Sequence, residues 1–163
     1  MMNGNTLEDA IKSAKKLKKN KVRLNKKSAY AEGLQLVESS KICLLGTNAE
    51  GGFPNIKAML NLKHEGLEKV WFSTNTSSRR VQQIMKDSRA CVYYVDETNF
   101  KGLMLVGTIK IMQDLESRKM LWAEGAEVYY PQGVEDSDYS VLCFSAKWGN
   151  YYQGLKNINI NIS

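Results

Sequence analysis

The sequence predicts a mainly β fold: a closed or nearly closed barrel of about six strands carrying peripheral helices. Short runs rich in β-branched and aromatic residues recur at close spacing, with turn signals between them. Helical periodicity is confined to a few segments at the margins of those runs. A chain of 163 residues with 43% hydrophobic content suits a single domain with a real core.

The elements follow in order. "NTLEDAIKSAKKLKKN" offers Asn5 or Thr6 as a cap, acids in its first turn and lysines towards its end, the order that complements a helix dipole. A second helix is expected over residues 28–39, where Tyr30, Leu34 and Val37 share a face. "KICLLGTN" reads as a strand, "AEGGFP" as a turn and "NIKAMLNLKHEG" as the next strand, in which Ile56, Ala58, Leu60 and Leu62 alternate with Asn55, Lys57, Met59 and Asn61. "HEGLE" closes a hairpin into "KVWFST" and places His64 in a solvated turn. A short helix over 77–86 buries Val81, Ile84 and Met85, and "RACVYYVD" is another strand. The long strand "TNFKGLMLVGTIKIMQD" carries Gly102 and Gly107, which read as bulges or bends. A helix follows up to Ala123, then the final strand "YSVLCFSAKW" and a short tail.

The net charge of +6 is unevenly placed. Residues 1–27 hold nine Lys/Arg against Glu8 and Asp9, so the rest of the chain carries −1. The sequence therefore divides into a basic N-terminal arm or helix, 1–27, and a nearly neutral domain, 28–163. That domain has no basic stripe, so nucleic acid is not an expected partner; the arm reads as a solvated helix or terminus, with nucleic-acid binding as its alternative. No segment is apolar and long enough for a membrane, and the start has no signal-peptide core, which makes the cytoplasm the expected location. Cys43, Cys91 and Cys143 sit in strand-like runs without a C-x-x-C, and with a single histidine they read as buried free thiols, with no metal site. The tyrosines at 93–94, 129–130 and 151–152 come in pairs, of which at most one member each should line a pocket; core or interface packing is the favoured role. The acidic "GVEDSDY" reads as a loop.

The stretch "WFSTNTSSRR", residues 71–80, stands apart. It reverses the chain at a strand end with no Gly or Pro, gathering Ser73, Thr74, Thr76, Ser77, Ser78, Arg79 and Arg80 at the start of a helix. Unpaired N–H groups at a helix N-terminus, hydroxyl donors and forked guanidinium groups together suit phosphate, while the glycine spacing of a Walker loop is absent. A capped helix with two exposed arginines is the competing reading, and Lys57 could point to the same strand end.

In series, "EGGFP", "KAM" at 57–59, "VWFSTNTSSRRVQQI", "ACVYYVD" and "AKWGNYY" resemble the pyridoxamine phosphate oxidase-like family of FMN-binding split barrels, in particular its general-stress-protein branch. The likeness covers about residues 30–152. It implies a split β-barrel of Greek-key type with flanking helices, binding FMN. Ring and ribityl chain would lie along Lys57, Ala58, Met59 and Leu60 and along residues 71–74, with Phe72, Ser73 and Thr74. The phosphate would sit among Lys57, Ser78, Arg79 and Arg80. The family also implies a homodimer with the cofactor at the interface, so that Gln83 and Trp148 approach a flavin held mainly by the other subunit. Two departures are visible: Lys-Ala-Met stands where Arg-Pro-Met is common, and Arg80 where Lys is frequent. The late Arg-x-His pair of true pyridoxamine phosphate oxidases is missing from "WGNYYQGLKNINI", so vitamin B6 oxidation is not expected.

The function that follows is an FMN-dependent oxidoreductase passing reducing equivalents from a nicotinamide donor, NADH or NADPH, to a small acceptor. The alternative is a non-catalytic flavin-binding sensor or reserve protein in a stress response. No catalytic acid or base follows from the residues, and a deazaflavin or haem, which some split barrels accept, stands beside FMN as a possible cofactor.

Overall fold

The computed structural model describes residues 24–162 together with 8, 9, 11, 12 and 15; those five are helical. The remainder of the predicted first helix and of the basic arm lies outside the described residues. Helix α1 (Lys26–Ser39) starts two residues before the expected boundary. Asn25 caps it: its side chain accepts from the Ser28 N–H at 2.9 Å, and Ser28 Oγ accepts from the Asn25 N–H at 2.9 Å. This reciprocal pair satisfies two donors that the first turn would otherwise leave open. Ala29, Gly33, Leu36 and Val37 form its buried face.

Strands β1 (Ile42–Asn48) and β2 (Pro54–Leu60) form a hairpin through Gly51 and Gly52, whose φ of 74° and 78° few other residues adopt. The hairpin of β3 (Lys63–Glu65) and β4 (Lys69–Asn75) leads to α2 (Arg79–Lys86), then β5 (Arg89–Asp96) and β6 (Lys101–Met112). Helix α3 (Leu115–Leu121), an irregular connection and the long pair β7 (Tyr139–Gln153) and β8 (Lys156–Asn161) complete the fold. The strands form one antiparallel sheet in the order β2-β1-β5-β6-β7-β4-β3, with β8 added beside the second half of β7. The sheet curls so that β2 comes against β4, making a half-barrel with α1 packed on β5 to β8.

Eight strands replace the expected six, for two local reasons. Asn61 ends β2, because its side-chain amide donates to the carbonyls of Val37 and Ser40 at 2.8 and 2.9 Å, tying the chain to the end of α1. After that anchor, β3 pairs with β4 instead of β1, and His64 lies in β3 opposite Val70 rather than in the turn. The expected tail is the end of β7, a turn at Gly154 (φ 60°) and β8. The bulge expected at Gly107 is present, since the β6–β7 register shifts between Val106 and Gly107.

The period of two in β2 is real, yet its apolar set faces away from the core. Met59 is 6% exposed, whereas Ile56 and Leu60 are 63% and 60% exposed. In α2, Val81 and Ile84 are buried as expected; Met85 is exposed, and Gln83 takes the third inward position. Gln83 is accommodated because its Oε1 accepts from Thr47 Oγ1 at 2.8 Å and Asn55 Nδ2 at 3.0 Å. The three cysteines are free; Cys43 is buried and the other two half-buried.

A main core of aliphatic and aromatic side chains fills the space between α1, α2 and the sheet, with Phe72, Tyr94, Phe144 and Tyr151 among its largest members. A second core forms where the connection before β7 folds over Trp71, Tyr139 and Val141 and brings Tyr130 among them. Trp122 lies edge-on to Tyr139 at 5.3 Å. Among the described residues no helix is long and apolar enough to cross a membrane.

The Asn61 anchor predicts that Asn61→Ala lowers the unfolding free energy by about 1–3 kcal/mol, because the Ser40 carbonyl loses its donor and the Val37 carbonyl keeps only the Ser40 N–H at 3.4 Å. Urea unfolding should show a lower midpoint with an unchanged slope. An unchanged midpoint would mean that water serves those carbonyls equally well.

Candidate functional site

The residues of "WFSTNTSSRR" become a structured corner. Residues 71–75 belong to β4, Ser78 caps α2 by accepting from the Val81 N–H at 3.3 Å, and Arg79 and Arg80 open the helix. The reversal without glycine is held from a distant segment. Asp138 accepts from the Ser77 N–H and from Asn75 Nδ2, each at 2.7 Å, and its carbonyl accepts from the Thr76 N–H at 2.7 Å. Thr76 Oγ1 and Ser140 Oγ are 2.6 Å apart. The amide of Asn75, with the Ser77 N–H, holds the Asp138 carboxyl below the usual carboxylate range.

Beside this corner, between β2 and β4, opens a cleft of about 270 Å³. Ala58, Met59 and Leu60 form its apolar wall. Ser73, Thr74 and Asn75 from β4, with Ser78, Arg80 and Tyr130, form the polar one. Arg80 Nη1 donates to Thr74 Oγ1 at 2.7 Å, and Thr74 Oγ1 lies 3.5 Å from Ser78 Oγ. The Nε of Arg80 is buried with no hydrogen-bond partner, and burial draws the guanidinium pKa down from its ordinary value. Among the described residues, neither Arg79 nor Arg80 forms an ion pair. A half-buried cation with an open donor, next to two hydroxyls and a helix N-terminus, is a set of groups whose chemistry suits an anion.

Of the residues singled out from sequence, Ala58, Met59, Leu60, Ser73, Thr74, Ser78 and Arg80 are thus gathered around one cleft. The others lie elsewhere in this single chain. Lys57 is exposed on β2 opposite Leu45; Phe72 is fully buried in the main core; Arg79 is exposed. Gln83 is bonded to Thr47 and Asn55 under α2, and Trp148 is 39% exposed opposite Val106. Sequence reasoning missed Asn75, Tyr130 and Asp138. Asn75 sat inside the quoted stretch, whereas the other two reach the site only through the second core and its loop.

Two of the three acids of "GVEDSDY", Asp136 and Asp138, have structural employment. Asp136 is 7% exposed and accepts from the backbone N–H groups of Gln132 and Asp138 at 3.1 and 2.9 Å, shaping the loop that presents Asp138. None of the cleft-lining side chains is a carboxylate, a histidine or a cysteine.

Asp138→Asn tests this clamp. A carboxyl held below its ordinary value contributes stability above about pH 4, its unfolded range, and loses that contribution as pH falls through its folded value. The variant should therefore melt below the wild type at pH 7, and the gap should shrink towards pH 2–3. A gap independent of pH would show that the charge of Asp138 plays no part.

Comparisons with known proteins agree with this fold. A protein related to general stress protein 26 of B. subtilis, of the pyridoxinephosphate oxidase family, from Clostridium acetobutylicum is 55% identical; the match covers 85% of this chain and 97% of that one, with a TM-score of 0.76. General stress protein 26 of Bacillus anthracis is 14% identical, covering 79% of this chain and 96% of that one at a TM-score of 0.65. A heme binding protein from Mycobacterium smegmatis is 18% identical, covering 86% and 59% at 0.68, and shares the fold. Among curated proteins none matches. The family model described as pyridoxamine 5'-phosphate oxidase like matches residues 29–162, nearly the whole described chain, and with the half-barrel and the 55% identical relative it establishes that this chain belongs to the pyridoxamine 5'-phosphate oxidase-like split-barrel family.

Proposed function

We propose that the protein binds FMN in the cleft between β2 and β4 and works as a small flavin-dependent oxidoreductase. The observation that carries this reading is Arg80, a half-buried cation whose Nε has no partner while its Nη1 is fixed on Thr74. Arg80, Ser78 and Thr74 would hold the phosphate, with the first N–H groups of α2 adding donors of the same sign. Ala58, Met59 and Leu60 offer an apolar wall suited to a planar ring. When bound, the flavin supplies the redox chemistry between a nicotinamide donor and a small acceptor, and the protein supplies position and electrostatics. That division of labour fits a cleft lined without carboxylate, imidazole or thiol.

The same reading includes a symmetric homodimer. Ligand sites usually enclose about 300–1,000 Å³, and the present cleft is smaller and open, so a second subunit would complete it. The sheet face beside it supplies the apolar surface: Ile42, Ile56, Leu60 and Val95 are 56%, 63%, 60% and 51% exposed. Ile42 pairs with Leu60 across β1 and β2, and Ile56 stands on the same face of β2 as Leu60, so these three exposed side chains share one face of the hairpin. Gln83 and Trp148 would then approach the flavin from the partner subunit.

Visible absorption after incubation with FMN and desalting is the direct test. The wild type should keep a flavin spectrum, and Arg80→Ala should weaken FMN binding at least tenfold, the range expected when a charge-assisted contact is lost. Binding that survives Arg80→Ala unchanged would remove the anion site from the reading. Oxidation of NADH or NADPH by the loaded protein with an added electron acceptor separates an oxidoreductase from a flavin reserve. Ile56→Glu should convert the dimer to monomer in sedimentation analysis, because it places charge in the patch; a monomeric wild type would exclude the dimer outright.

A further inference from the structure

Tyr130 belongs to none of the elements from which the cleft was anticipated. It reaches the site from the connection between α3 and β7, where its own N–H donates to the Ala126 carbonyl at 3.0 Å and its carbonyl accepts from the Gly133 N–H at 2.9 Å. The residue is 7% exposed, and its ring packs tilted against Tyr139 with centroids 4.6 Å apart and lies 6.2 Å from Trp122. Those contacts fix the ring and cost no further ordering when a ligand arrives. Tyr130 nevertheless lines the cleft, and its hydroxyl has no hydrogen-bond partner among the described residues. It lies at the Arg80 end, within electrostatic reach of that guanidinium.

We propose that Tyr130 is a specificity-determining residue, donating its hydroxyl to the terminal phosphate of the ligand that Arg80 holds. The assignment rests on the FMN reading above and adds a named contact to it. A tyrosine suits this position because a preordered ring delivers one neutral donor to a dianion without adding a charge to be desolvated. Burial and the nearby Asp138 and Asp136 push the phenol pKa up, so the hydroxyl keeps its proton for donation across the neutral range. The chemical class selected is a phosphate monoester over the dephosphorylated parent, which for a flavin means FMN over riboflavin.

The test titrates the full-length wild type, Tyr130→Phe and the exposed neighbour control Tyr129→Phe with FMN and with riboflavin, following flavin fluorescence. Phe keeps the ring contacts with Tyr139 and Trp122, and thermal melting checks that the variant is folded. The inference expects Tyr130→Phe to weaken FMN about tenfold while riboflavin binding is unchanged, and Tyr129→Phe to alter neither. A uniform loss for both flavins would assign Tyr130 to packing alone and overturn the inference. An FMN-to-riboflavin preference equal to that of the wild type would overturn it as well, with FMN binding itself still standing. A wild type that binds neither flavin removes both this inference and the reading beneath it.

Discussion

The close approach of Gly107 to Ser145 is the constraint from which the rest of the architecture follows. A Cβ on Gly107 would lie 1.9 Å from the Ser145 carbonyl oxygen, a distance no side chain accommodates. At this point β7 carries one extra residue, Lys147, between the partners of Gly107 and Val106. A bulge bends its strand and sharpens the local twist. Strand β7 therefore serves two neighbours on one edge, β4 along its first half and β8 along its second, while β6 runs beside both halves. The bent sheet brings β2 against β4, and only that meeting creates a cleft with an apolar wall from one strand and a hydroxyl-rich wall from the other.

A second constraint operates at the corner itself. Glycine usually relieves a sharp reversal before a helix, but it would leave the corner mobile and without side-chain donors. Here the reversal is built from Asn75, Thr76 and Ser77 and fixed by hydrogen bonds to Asp138 and Ser140. The corner is thus rigid before any ligand binds, and its donors need little reorganisation. The arrangement also explains why a loop with buried Asp136 is retained next to the site: it fixes the residue that fixes the corner.

These features differ in how far a sequence could reveal them. Strands β1, β4 and β5 and helix α2 were legible because alternation, helical period and caps are local. Gly102 and Gly107 carried the same local signal for a bulge, yet only Gly107 lies at a register shift, while Gly102 pairs regularly with Tyr152. The facing of β2 was not: a period of two identifies two faces without saying which one the core takes. Asn61 looked like one more polar residue in an alternating strand, and its bonds to the carbonyls of α1 arise only after the helix has packed. Residues 71–80 suggested an anion site by composition, and four of the residues singled out there, Ser73, Thr74, Ser78 and Arg80, share one cleft with Ala58, Met59 and Leu60. Tyr130 and Asp138 were illegible because they come from a connection with no period, placed by aromatic packing and a buried carboxylate.

The outward face of β2 also bears on how the site would operate. Strand β2 carries Met59 towards the core with Asn55 and Lys57 on the same side, and Ile56, Ala58 and Leu60 away from it, so its outward face is wholly apolar from Ile56 on. An edge strand of that kind in a protein that stays monomeric is a liability, ordinarily blunted by charge or covered by another element. Lys57 is the charge on this strand, and it stands on the side of Met59, leaving the outer face without one. In the proposed dimer, the surface that draws two subunits together is continuous with Ala58 and Leu60, which also line the cleft. Association and cofactor binding would then share side chains, and each would favour the other by the coupling such sharing requires. In that reading the apolar edge is half of a binding site and not a defect of the sheet.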